Sequence, residues 1–249
     1  TGLAALALTF MAAEAAAVQG VITMPNGSKR EGDIKWVVRD KVYSIVEKGR
    51  PIEMQLKPEE IADLQIPRPR ELDAAIESIR QGNAAAAVSS LEKIAADYLM
   101  LQWDKPATRY LAEAHVQAGN ADKAIAVCEK VIAANPEAAY LGEMAPAYWQ
   151  ALIKRERLSK VEDLISKAIK TGDRLASANA LIARGDLVQA SGDTADIAKK
   201  ALRDGYLRVI TLYKSERAAQ PEALFKAAKC FEKLGQTQRA YQLRTTLKG

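Results

Sequence analysis

Two periodicities divide the chain. Between residues 18 and 66, apolar and polar positions alternate. Ile34, Trp36 and Val38 interleave with Asp33, Lys35 and Val37; Tyr43 and Ile45 flank Ser44; Ile52, Met54 and Leu56 are separated by Glu53 and Gln55; Leu64 and Ile66 alternate again. A period of two marks a strand with one buried face. Arg39-Asp40-Lys41, Lys48-Gly49-Arg50 and Lys57-Pro58-Glu59 interrupt the runs, and Pro25-Asn26-Gly27-Ser28 is a strong turn signal after Val21-Ile22-Thr23-Met24. The pattern predicts four or five short antiparallel strands, and a sheet this small should curl into a barrel to cover its apolar face. Glu59-Glu60 after Pro58 fits the start of a helical turn. Pro67-Arg68-Pro69 then ends the pattern, because residues before proline are pushed to extended backbone.

From Glu71 onward apolar residues recur at helical spacing. The turn Gln81-Gly82-Asn83 returns as Ala118-Gly119-Asn120, Ser191-Gly192-Asp193 and Leu234-Gly235-Gln236. Gly82 and Gly119 are 37 residues apart, Gly119 and Gly192 are 73 apart, and Gly192 and Gly235 are 43 apart. The middle interval is two units, with Glu156 of Arg155-Glu156-Arg157 at the missing turn. A helix–turn–helix unit with a period in the thirties predicts a stacked helical array, since a single hairpin cannot bury its own apolar stripe.

The residues at fixed offsets from these turns resemble the tetratricopeptide repeat family. The second unit fits best, with Ala112, Gly119-Asn120, Ala124, Val131 and Asn135-Pro136. The first supplies Ala75, Gly82-Asn83, Ala87 and Ile94, the fourth Gly185, Gly192-Asp193 and Ile197, and the last Ala228, Gly235, Ala240 and Leu247. The third departs, with Trp149, Glu156 and Val161 in the small, turn and alanine slots, so local distortion is expected there. Tyr206 through Phe231 is similar to repeat proteins of the bacterial cell envelope, and residues 18–66 resemble small SH3-like or Sm-like β modules of exported proteins. These resemblances imply a mainly α protein, a right-handed α-solenoid of about five helix–turn–helix repeats preceded by a small antiparallel β barrel-like domain. The expected boundaries are 18–67 for the β domain and 71–249 for the repeats. The concave face, lined by the first helix of each pair, would present Arg109, Glu113, Gln117, Gln150, Lys154, Asp186, Gln189, Lys229 and Glu232. Both charge signs mixed with amides suit an extended peptide or helix of another protein.

Composition adjusts this picture only slightly. Ala contributes 46 of 249 residues, which favours helix. The net charge of +5 and pI near 9.1 raise nucleic acid as a partner. The charge is spread, however, at +1 over residues 1–70 and +4 over the rest, without the concentrated field that phosphate binding needs. One His and two Cys exclude most metal sites and His-based triads. His115 falls in an inter-helix packing slot. Cys128 and Cys230 are expected as buried free thiols about three repeats apart, too far for a disulfide. Acidic pairs such as Glu162-Asp163 are what 31 acids produce by chance, and no nucleotide loop or serine elbow is present. The expectation is a non-enzymatic adaptor for another envelope protein or peptide segment, with no cofactor, no metal, no nucleic acid and no transmembrane span. Its rivals are a nucleic-acid-binding protein and an envelope hydrolase with an unrecognised site.

Residues 2–13, GLAALALTFMAA, followed by Glu14 and Ala15-Ala16-Ala17, have the apolar core and small-residue cleavage site of a secretory signal peptide. The run of about 11 apolar residues is too short for a bilayer, which needs about 20. Residues 1–17 are therefore expected to be a signal remnant, and the mature protein to be periplasmic. Mass spectrometry of native material should find a chain starting at Val18; a cytoplasmic chain retaining residues 1–17 would defeat the export reading.

Overall fold

The computed structural model describes residues 16–248, with the side chain of Lys248 excepted. The expected leader, apart from Ala16 and Ala17, lies outside these residues. The chain forms two compact units: residues up to 68 together with 96–102, and residues 69–95 together with 103 onward.

The first unit is a five-stranded antiparallel sheet: β1 (Val18–Thr23), β2 (Lys29–Val37), β3 (Val42–Glu47), β4 (Glu53–Leu56) and β5 (Asp63–Gln65), in the order β4-β3-β2-β1-β5. The Asn26-Gly27 turn forms as expected, with Gly27 at φ 81° and the Asn26 side chain accepting from Ser28 N–H and Oγ (3.0 and 2.7 Å). Register sets the core. Ile34 faces Ile45, Trp36 faces Tyr43 and Ile45 faces Met54, and the Trp36 and Tyr43 rings meet edge-on at 4.9 Å. Ile22, Ile34 and Ile45 are fully buried. Gly20 pairs with Gly32 across β1 and β2. A Cβ on Gly32 would lie 2.1 Å from Val46 O, and one on Gly20 would lie 2.3 Å from the Ile66 side chain. At Gly32, where the neighbour is backbone, only glycine permits this close approach. Pro58–Glu60 is a 3-10 turn between β4 and β5.

Segment 96–102, between two helices in sequence, belongs to this unit because its polar groups satisfy the sheet. Tyr43 Oη donates to Met100 O (3.1 Å). Ile66 N–H donates to Gln102 Oε1 (3.0 Å), and Gln102 Nε2 donates to Leu64 O. A side-chain amide thus pairs with the outer edge of β5, as a neighbouring strand would. Met100 and Gln102 hold left-handed backbone (φ 61° and 75°) to reach these positions.

The second unit is an array of helix pairs: α1 (Arg70–Arg80) with α2 (Ala84–Asp97), α3 (Asp104–Gln117) with α4 (Ala121–Ala134), α5 (Ala145–Lys154) with α6 (Leu158–Lys170), and α7 (Arg174–Ala190) with α8 (Ala195–Ala201). A π-helical turn (Leu202–Tyr206) carries α8 into α9 (Leu207–Leu212), and α10 (Gln220–Lys233) with α11 (Thr237–Lys248) completes the array. Four of the five turns share one backbone lock. The N–H three residues past the helix end returns to a carbonyl five residues earlier: Asn83 to Ser78, Asn120 to His115, Arg157 to Leu152 and Gln236 to Phe231, all 2.8–2.9 Å. This is the glycine-terminated helix end, with Gly82, Gly119 and Gly235 at φ 69–82°.

Glu156 adopts the same conformation (φ 55°) without being glycine, at a cost of about 1 kcal/mol. The distortion expected in the third unit is therefore absent from its turn and lies before α5. Residues Pro136–Ala139 form a 3-10 turn, and Trp149 is buried with Nε1–H donating to Ala139 O (2.8 Å). A tryptophan in a slot meant for alanine is thus housed by the preceding loop, and α5 is 10 residues long against 14 for α3.

In α3 and α4, Ala112 and Ala124 are both 0% exposed. Ala124→Leu adds three carbons to this contact and should cost about 1–3 kcal/mol, whereas exposed Gln117→Ala should leave the melt nearly unchanged. Thermal melts of both variants check the repeat register; the reverse ranking would break it.

Candidate functional site

The first helices α3, α5, α7 and α10 carry the nine polar residues expected on the inner face, and the structure sorts them into distinct settings. On α3, Arg109 Nε donates to Glu113 Oε1 (2.9 Å), one turn away, and Glu143 approaches from the loop before α5 (4.0 Å). Burial opposes the Arg109 charge, but Glu113 outweighs it and raises the guanidinium above its ordinary value. Gln117, at the end of α3, and Lys154, at the end of α5, are exposed.

Gln150, Asp186 and Gln189 are engaged within the chain. Gln150 Nε2 donates to Glu222 Oε1 (3.3 Å), joining α5 to α10. Lys226 of α10 lies between Asp186 (2.5 Å) and Glu222 (2.6 Å), and Tyr206 Oη donates to the other Asp186 oxygen (2.8 Å). Gln189 Nε2 donates to Cys230 Sγ (3.0 Å). Burial pushes Asp186 above the usual carboxylate range despite Lys226 and Tyr206. The same burial works against the Lys226 charge, yet its two carboxylates raise it. Glu222, Lys226 and Tyr206 are not among the residues that the sequence singles out. The Glu222–Lys226 spacing of four on a helix is a usable signal; the reach from α10 to α7 is not.

Lys229 and Glu232 diverge from this cluster. Lys229 sits over the Phe225 ring (4.6 Å), while Glu232 pairs with Arg244 of α11 (2.6 Å). His115 is buried, which lowers its pKa and keeps it neutral near pH 7. Cys128 and Cys230 are free and buried, and burial pushes the Cys128 thiol up to about 12, far from thiolate reactivity. Among the described residues no cluster of His, Cys, Asp or Glu could hold a metal ion, and no helix is long and apolar enough to cross a membrane. In the β unit an open cleft of about 670 Å³ runs along β1 and β5, with Glu31 and Asp63 among its walls.

Residues 78–145 match a tetratricopeptide repeat family model, and residues 222–243 match a second one. Those two stretches have the pattern of tetratricopeptide repeats. No curated protein gives a match. Among solved structures, MamA of AMB-1 is 17% identical, with 72% of this chain and 96% of that chain covered and a TM-score of 0.38. A Podosopora anserina putative kinesin light chain with nearly identical TPR-like repeats is 17% identical, covering 72% and 92% with a TM-score of 0.38. Tetratricopeptide repeats serve as protein-interaction scaffolds, and here the α3 end of the array offers the accessible side chains while the α7–α10 end is internally paired.

Removing Lys226 would leave Asp186 and Glu222 without their cation. Lys226→Met should cost about 3 kcal/mol at neutral pH, since breaking a buried pair strands its partner charges. Because the Asp186 pKa is raised in the fold, that loss should shrink as pH falls through its folded value. Asp186→Asn in the same background should recover most of the stability. Denaturant melts across pH check both effects.

Proposed function

We propose that the protein is a non-enzymatic, exported adaptor that holds another protein of the bacterial cell envelope along the first helices of its repeats. The observation that carries this reading is the repeat array itself, with Arg109, Glu113, Gln117 and Lys154 on successive first helices α3 and α5. Gln117 and Lys154 are exposed, and the Arg109–Glu113 pair is only half-buried. A partner segment of mixed charge can exchange those contacts for its own without stranding a buried group. The export assignment rests on the sequence of residues 2–17, and the adaptor assignment rests on the repeats.

A photo-crosslinking residue at position 117 should trap a protein partner in intact cells, and the same residue at exposed position 159 on α6 should not. Both variants should co-fractionate with periplasmic markers. Equal trapping at the two positions would remove the inner face from the mechanism, and cytoplasmic recovery would remove the envelope.

A further inference from the structure

A second recess is lined by none of the nine inner-face residues. It has a volume of about 400 Å³ and is bounded by α8, the π-helical turn and α9 on one side and by the α10–α11 turn on the other. Its apolar lining comes from Leu202, Leu207, Phe231 and Leu234, of which Leu202 and Phe231 are buried (4% and 8% exposed). Its charged lining is of one sign: Lys199, Arg203, Arg208 and Arg239, with no acidic side chain. Lys199 and Arg203 are partly neutralised from outside by Asp196 (3.1 Å) and Asp204 (2.7 Å). Arg239 is held differently. Its Nη1 donates to Gln236 Oε1 (2.8 Å), and its guanidinium lies over the Phe231 ring (5.7 Å). Both contacts orient the charge without cancelling it. Arg208 is exposed on the opposite wall, and Leu212, 59% exposed, stands one turn further along the same face of α9.

We propose that this recess is a docking site for an acidic amphipathic peptide segment of a partner protein, separate from the inner face. Apolar side chains of the segment would enter between Leu207 and Leu234, and its carboxylates would meet Arg208 and Arg239. Charge complementarity selects the occupant: an apolar floor under an all-cationic rim favours a ligand that is both apolar and anionic. Nucleic acid fits less well, because Phe231 is buried beneath Arg239 and offers no open face for a base to stack on. A flat anionic bilayer fits less well because the apolar floor is recessed, not protruding.

The test is selection from a displayed library of random 12-residue peptides on the full chain, followed by titration of the enriched peptides. Enriched sequences should combine Asp or Glu with Leu, Ile or Phe. Their binding should weaken at least tenfold with Arg208→Glu plus Arg239→Glu, persist with Arg208→Lys plus Arg239→Lys, and be unaffected by Gln117→Ala, which separates this site from the inner-face reading. All substituted positions are exposed, so unchanged circular dichroism melts confirm that the variants fold. The proposal is overturned if no acidic-apolar sequences are enriched, or if binding ignores the charge reversal. It is equally overturned if only duplex oligonucleotides or phosphatidylglycerol vesicles bind in a manner that depends on the two arginines.

Discussion

Where α7 meets the π-helical turn, the two backbones come so close that only glycine fits, and the packing around that crossing depends on the approach. A Cβ on Gly205 would lie 2.7 Å from the Gly185 backbone, and one on Gly185 would lie 2.4 Å from the Tyr206 ring. Because the two backbones touch there, the Tyr206 ring packs against α7 and its hydroxyl reaches Asp186. The extra residue of a π turn aims both Gly205 and Tyr206 at the same helix. Ala112, Ala124, Ala228 and Ala240 are small and buried in the same array.

Close packing decides where charge can be tolerated. Where side chains reach between α7 and α10, Asp186 and Lys226 lie mostly out of water, so each must be paired; Tyr206 and Glu222 supply the remaining partners, and Gln150 in turn holds Glu222. Such a network holds its helices in one arrangement at little net gain in stability. At the α3 end the polar residues remain accessible, with the Arg109–Glu113 pair only half-buried. On another side of α10, the basic rim around Leu202 and Phe231 has no carboxylate in its walls, although Asp196 and Asp204 pair with Lys199 and Arg203 from outside it.

Local repetition makes much of this architecture legible. Alternation in residues 18–66 predicts four or five strands, and five form, because period two fits a strand with one buried face. The recurring Gly-Asn, Gly-Asp and Gly-Gln turns mark the helix pairs, because a left-handed residue ends the first helix of most pairs. Glu156 is found by interval alone, and it adopts the glycine conformation. Ala112 and Ala124 are identifiable as contact points because small residues at fixed offsets recur where helices meet.

Contacts across large sequence separations are not legible, since no local pattern encodes them. Arg109 and Glu113 can be read as a helical pair, but nothing near Gln150 points to Glu222, 72 residues later. Lys229 and Glu232 sit in plausible register on α10, yet the rotation of that helix turns Glu232 toward Arg244 and brings Lys226 to Asp186 instead. Gln102 belongs to no motif, and only the fold reveals it capping the edge of β5. The sequence by itself determined the two periodicities, the turns and the small contact residues, because each is enforced within a few residues of chain. Tertiary structure alone decided which charges are buried together and which stay open, because that depends on the distances between helices that packing sets.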